Sequence, residues 1–177
     1  MEEKEFVRLW QHMLNLQMNL DKRIVMGNRL TYKNLLDNGW FEQALLDEVG
    51  ELNHELKKNW CWWKKTQAPV DREKVLEEFA DCLHFILSWQ LASAIMTRDR
   101  YQSSEVAWKA YESHCSCSPV DVAVHIKGEQ FMKEEYRVPP VAELIGLMNH
   151  LNFTIDEVYR AYIQKNKRNH ERQDEGY

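Results

Sequence analysis

Apolar residues at helical spacing run through most of this sequence. Between about Glu3 and Gly27, Phe6, Trp10, Met13, Leu14, Leu20 and Ile24, with Gln17 among them, recur mostly three and four apart. That spacing puts them on one face of a single long helix. Gly27-Asn28 supplies its stop signal. A second stretch, about Trp40 to Asn59, repeats the pattern with Phe41, Leu45, Leu52 and Leu56. A third opens at Asp71, a good N-cap with Glu73 in the first turn, and runs to about Met96. It is the most apolar part of the chain. Stripes this long bury one another in a bundle. The sequence therefore predicts an all-α fold, and a second copy in a homodimer could cover what one chain leaves exposed. The 18 leucines against 12 valines, 7 isoleucines and 4 threonines also disfavour a β fold.

The remaining elements are shorter. Thr31 to Asp37 reads as one turn of helix ended by Asn38-Gly39. Asn59 to Val70 is a loop closed by Pro69. From Thr97 to Pro140 the pattern weakens, although Ser103-Ser104 and Ser118-Pro119 can each start a helix. Val141 to Leu151 looks helical again. Thr154-Ile155-Asp156-Glu157 is a capping box for a last helix, which carries Val158, Ala161 and Tyr162 into a polar tail. Five or six helices in one domain, 1–177, are expected, with 98–138 a variable helical insertion.

A net charge of −5 opposes phosphate-neutralising contact with nucleic acid. No apolar run approaches the roughly 18 residues of a membrane span, and the N-terminus lacks an apolar signal region. No nucleic acid, no membrane and a cytoplasmic location follow as expectations. Cys61, Cys82, Cys115 and Cys117 do not form paired C-x-x-C motifs. His114-Cys115-Ser116-Cys117 reads as a polar loop with free thiols before it reads as zinc ligands.

The acidic residues carry the chemistry. Glu48, Glu51 and Glu55 share one helix face through spacings of three and four. Glu48 stands three after Leu45 and four before Leu52, on the apolar stripe. Glu78 stands three after Val75 and four before Cys82, and Asp81 one turn before Phe85. Two helices thus turn carboxylates inward. Buried carboxylates are costly alone and repel one another together. A divalent cation resolves both problems. Oxygen donors without paired His or Cys select a hard ion, Mg²⁺ with Mn²⁺ as a substitute. An ion of this kind usually takes up phosphates. Glu2, Glu3, Glu5 and Glu77 belong instead on solvated faces.

Glu48-Val49-Gly50-Glu51, 26 residues, then Glu78-Phe79-Ala80-Asp81 fits an E-x-x-E…E-x-x-D pattern. This pattern resembles that of the all-α nucleoside triphosphate pyrophosphohydrolases, the superfamily of MazG-like proteins and dimeric dUTPases. Leu16-Gln17-Met18-Asn19-Leu20-Asp21, Asp81-Cys82-Leu83-His84-Phe85-Ile86-Leu87-Ser88 and the tail from Lys165 to Tyr177 are similar to the dimeric dUTPase branch in its bacterial and phage form. The resemblance covers about 6–96 and 141–177.

It implies an all-α homodimer that converts dUTP to dUMP and pyrophosphate, and dUDP to dUMP and phosphate, with attack at the β phosphorus. It makes Glu48, Glu51, Glu78 and Asp81 the Mg²⁺ ligands, with Glu48 also orienting or deprotonating the attacking water. Gln17 would read the uracil edge, though its amide could equally serve a helix–helix seam. Asp21 stands where related enzymes often have an amide. Lys165, Asn169 and Arg172 would reach phosphate or base, with Tyr162 on the face of Lys165. The loop holding Trp60, Trp62, Trp63, Lys64 and Lys65 offers an indole, such as Trp62, to stack on the base and Lys64 to meet a phosphate. The same loop could simply pack on the bundle. His84 lies on the face of Asp81, either supporting the site or filling the core. The alternatives are a dCTPase or broader MazG-like enzyme, since an amide can flip to serve cytosine, and a regulatory protein on the same scaffold.

Overall fold

Local chemistry sets most helix ends. A computed structural model describes residues 1–57, 60–97, 104–132 and 138–176. Helix α1 spans Glu3–Gly27 with Glu3 and Glu5 in its first turn, where acidic groups complement the helix dipole. Helix α2, Tyr32–Asp37, begins at Thr31, whose hydroxyl accepts from the Asn34 N–H while the Asn34 side chain accepts from the Thr31 N–H. Gly39, at φ 66°, supplies the left-handed residue that starts helix α3, Trp40–Leu56. Asp71 Oδ1 accepts from the N–H groups of Glu73 and Lys74 and opens helix α4, Arg72–Thr97. Helices α5, Ser104–Glu112, and α6, Pro119–Glu129, follow. Asp121 caps α6 by accepting from the N–H and hydroxyl of Ser118. Helix α7 is Val141–His150, and α8 is Ile155–Asp174. The capping box of α8 is formed as its sequence predicts: Thr154 Oγ1 accepts from the Glu157 N–H, and Glu157 returns the bond to Thr154.

Eight helices and no strand occur among the described residues, so the fold is all-α. The sequence reading of five or six helices was low, because α2 is a short turn of helix and the apolar pattern across α5 and α6 is weak. Residues 58–59, 98–103, 133–137 and 177 lie outside the described residues, among them parts of the expected insertion; α3 was expected to reach about Asn59 but ends at Leu56, where Lys57 turns to φ 53°.

Helix α4 is the centre of the bundle, packed by α1, α2, α3 and α8. Leu83, Ile86, Leu87 and Trp89 of α4 are fully buried with Phe6, Trp10 and Met13 of α1, Leu45 and Leu52 of α3, and Val158 and Tyr162 of α8. Each such aliphatic side chain contributes roughly 1.5–3 kcal/mol by leaving water. By length and composition α4 could also cross a membrane, where the sequence reading saw no sufficient run. It is mostly buried in the protein, as a core helix is.

A second group, α5, α6 and α7, packs on α1 and α3. There the loop before α6 presses on Gly146, where a Cβ would meet Cys117 Sγ at 2.6 Å.

Candidate active site

Three of the four predicted ligands converge. Glu48 from α3 and Glu78 and Asp81 from α4 each offer an oxygen within 4.8 Å of the others. It is the one group with metal-ligand spacing among the described residues. The residues are half-buried, as their place on the apolar stripes requires. Glu51 is exposed and stands outside this triplet, one turn along α3. Its charge still reaches it. Burial first, then the charges of Asp81, Glu51 and Glu78, push the Glu48 carboxyl up to about 7. Glu78 is raised in the same way, by burial and then by Asp81 and Glu51. Asp81 is raised by burial against the opposing pull of Lys165. Lys165 Nζ lies 2.6 Å from Asp81 Oδ2. Burial lowers the Lys165 ammonium, but the Asp81 carboxylate outweighs it and holds the ammonium above its ordinary value.

Crowded oxygen donors that resist ionisation are what a hard divalent cation relieves. The donor set therefore fits Mg²⁺ or Mn²⁺ and lacks the sulfur or nitrogen that zinc prefers. The four cysteines are free thiols, and neither Cys115 nor Cys117 joins a metal-spaced group.

A cavity of about 440 Å³ opens beside the carboxylates. Glu48, Asp81, Asn169 and Arg172 line one part, and Ile24, Val25, Leu35, Phe41 and Phe85 line an apolar part. Its size and mixed lining suit a small molecule with an aromatic and an anionic end.

Gln17, Asp21, His84 and Ser88 also line the cavity and belong to a buried polar network. Gln17 Nε2 donates to Asp21 Oδ1 at 2.7 Å and to Ser88 Oγ at 2.8 Å. Gln17 Oε1 accepts from the Tyr162 hydroxyl at 2.8 Å and faces His84 Nδ1 at 2.7 Å. The Ser88 hydroxyl donates to Asp21 Oδ1, and Tyr32 reaches Asp21 Oδ2 at 3.4 Å. Burial pushes Asp21 up to about 6, against the hydrogen bonds from Gln17, Ser88 and Tyr32. Burial, then the Lys165 charge, pulls His84 down to about 3, so its imidazole is neutral.

The Gln17 amide thus lines the cavity with both N–H groups donated and its carbonyl oxygen within hydrogen-bond distance of His84 and of the Tyr162 hydroxyl, which the Met13 carbonyl also reaches at 3.1 Å. Reading the uracil edge with it requires exchanging at least one of these bonds. Tyr162 is fully buried behind Gln17, its ring stacked 4.3 Å from His84. It supports the network and does not line the cavity. Asn169 and Arg172 do line it, with Arg172 Nη1 3.5 Å from Asn169 Oδ1. Trp62 is 87% exposed, and neither it nor Lys64 borders this cavity. Trp60 instead ties the loop to α3 by donating to the Asn53 carbonyl.

The sequence reading gave no role to Asp21 or Ser88 and left His84 open. The signal was a polar series, Asp81, His84 and Ser88, spaced three and four along the most apolar helix.

The sequence matches a family model described as dUTPase over residues 9–177. No curated protein matches the chain.

Proposed function

This chain belongs to the all-α dimeric dUTPase family and hydrolyses dUTP, and from that premise we propose that it is an Mg²⁺-dependent homodimer that also takes dUDP to dUMP and phosphate. The observation that carries the metal dependence is the meeting of Glu48, Glu78 and Asp81 within 4.8 Å beside a mostly apolar cavity. Mg²⁺ bound there, with Mn²⁺ as substitute, supplies charge neutralisation for the phosphate chain and acidifies water.

The chain's own residues do the rest. The apolar part of the cavity takes the base and excludes water. Arg172 and Lys165 meet the phosphates as charge-assisted donors. Asn169 offers an amide to the base or sugar, and Gln17 holds the wall that the base meets. A Glu48 carboxylate oxygen takes the proton of the attacking water. Glu51 completes the acidic set from its exposed position. Trp62 and Lys64 close over a substrate only if their loop moves or a second copy presents them. Val120, Val124 and Phe131, exposed by 63%, 63% and 91%, are apolar surface that a second copy could cover. A cytoplasmic setting without nucleic acid or membrane suits this chemistry.

The test is release of phosphate or pyrophosphate from dUTP, dUDP, dCTP, dTTP and UTP, with Mg²⁺ and with EDTA. EDTA-sensitive turnover of dUTP and dUDP is expected. Undiminished turnover in EDTA refutes the metal role, and turnover led by dCTP moves the base preference.

A further inference from the structure

Lys165 comes from α8, whereas the carboxylates come from α3 and α4, so no local helix pairing dictates its place. Its Nζ nevertheless sits 2.6 Å from Asp81 Oδ2 and 3.7 Å from Glu77 Oε1, with its side chain 15% exposed. An ammonium on one member of a carboxylate triplet is a counter-charge. A divalent cation among the same oxygens would lie a few ångströms from it. At that separation two positive charges in a half-buried site repel strongly. Lys165 does not line the active-site cavity itself; it borders the adjoining groove between α4 and α8, and Arg172 lines both. Lysine is a compact charge on a flexible four-carbon stem, suited to changing partners within a few ångströms.

We propose that Lys165 is the site's resident counter-charge, which opposes divalent cation binding in the free protein and passes from Asp81 to the nucleotide's phosphates when substrate arrives. The inference rests on the metal reading above. Phosphate oxygens are strong acceptors for an ammonium. Once Lys165 is on phosphate it no longer opposes the cation at Asp81. Metal and nucleotide then favour each other's binding beyond their direct contact, and linkage makes that preference reciprocal. The free enzyme would hold its metal weakly and load it with substrate.

The experiment measures Mn²⁺ binding to the full chain without nucleotide, by the paramagnetic resonance signal of free Mn²⁺. The proteins are the parent, K165M, K165Q, K165R and K167M. Both neutral replacements are expected to bind Mn²⁺ about tenfold more tightly, a coupling of ordinary size between neighbouring sites. K165R keeps the charge and should stay near the parent. Lys167 is 80% exposed and pairs only loosely with Glu171, at 4.0 Å. K167M controls for net charge and should leave affinity unchanged. A non-hydrolysable dUTP analogue should tighten Mn²⁺ binding less in K165M than in the parent. Equal or weaker Mn²⁺ binding by K165M and K165Q, with circular dichroism showing the fold kept, overturns the proposal. So does an equal gain in K167M. If no protein of the set binds Mn²⁺, the metal reading itself has failed and takes this inference with it.

Discussion

Replacing Glu48 by Gln should make the metal-free protein more stable while removing its activity. Folding moves the Glu48 carboxyl from 4.5 up to about 7, by burial first and by the charges of Asp81, Glu51 and Glu78 after it. A raised carboxyl favours the protonated form in the folded state. The charged form therefore costs stability above about pH 7, and the cost disappears as pH falls toward 4.5. At full burial a displacement of that size would correspond to about 3 kcal/mol; Glu48 is only half-buried, and solvent screening leaves about 1–2 kcal/mol of it. Glutamine has nearly the same shape and no charge, so it removes the cost and relieves Glu78 and Asp81 as well. For a chain of this length each kcal/mol moves Tm by about 2–4 °C. E48Q in EDTA at pH 8 should then melt about 2–8 °C above the parent, and at pH 4.5 the two should melt together. Saturating Mg²⁺ should narrow the gap at pH 8, because the ion supplies the missing positive charge to the parent. Hydrolysis of dUTP by E48Q should fall by about 10²–10⁴, the span of a lost general base. Thermal melts followed by circular dichroism at both pH values decide the matter. An E48Q that melts at or below the parent at pH 8, or gains equally at both pH values, refutes the electrostatic account of the cluster.

Three further outcomes follow from the geometry. Q17A removes an amide that bonds Asp21, Ser88, His84 and Tyr162; it should cost about 2–4 kcal/mol in denaturant unfolding through buried groups left unpaired and raise KM for dUTP. G146A should cost about 1–3 kcal/mol by overpacking against Cys117, and C117A in the same chain should recover part of it; unchanged stability of G146A would show that the loop yields. Hydrolysis of dUTP in ¹⁸O-water should place the label in pyrophosphate and leave dUMP unlabelled, as attack at the β phosphorus requires; label in dUMP moves the attack to the α phosphorus.

The bounds of the long helices were legible because they are local properties. Thr154 and Glu157 cap α8 within four residues of each other, and Gly27-Asn28 ends α1 without help from elsewhere. The phase of Glu48 between Leu45 and Leu52, and of Glu78 between Val75 and Cys82, needs only the 3.6-residue period. That period already turned both carboxylates inward. Glu2, Glu3, Glu5 and Glu77, read as solvated, are indeed exposed.

Which oxygens meet is a different kind of fact. Glu51 shares a face with Glu48 by spacing, yet α3 leans so that only Glu48 joins Glu78 and Asp81. The offset between α3 and α4 depends on side-chain packing along the whole seam, and no four-residue spacing contains it. The same holds for Gln17. Its place on the stripe of α1 was readable, but its four partners come from α1, α4 and α8, and only their convergence surrounds the amide. Tyr162 stands three before Lys165, near enough in phase to suggest a shared task, but α8 turns the ring into the core and the ammonium toward Asp81. Helical period and capping are short-range and one-dimensional, so the sequence by itself determined an all-α chain with two inward acidic helices. Register between helices is long-range, and it alone decided that Glu48 and Asp81 meet Glu78 and Lys165 beside a cavity that the Gln17 amide also lines.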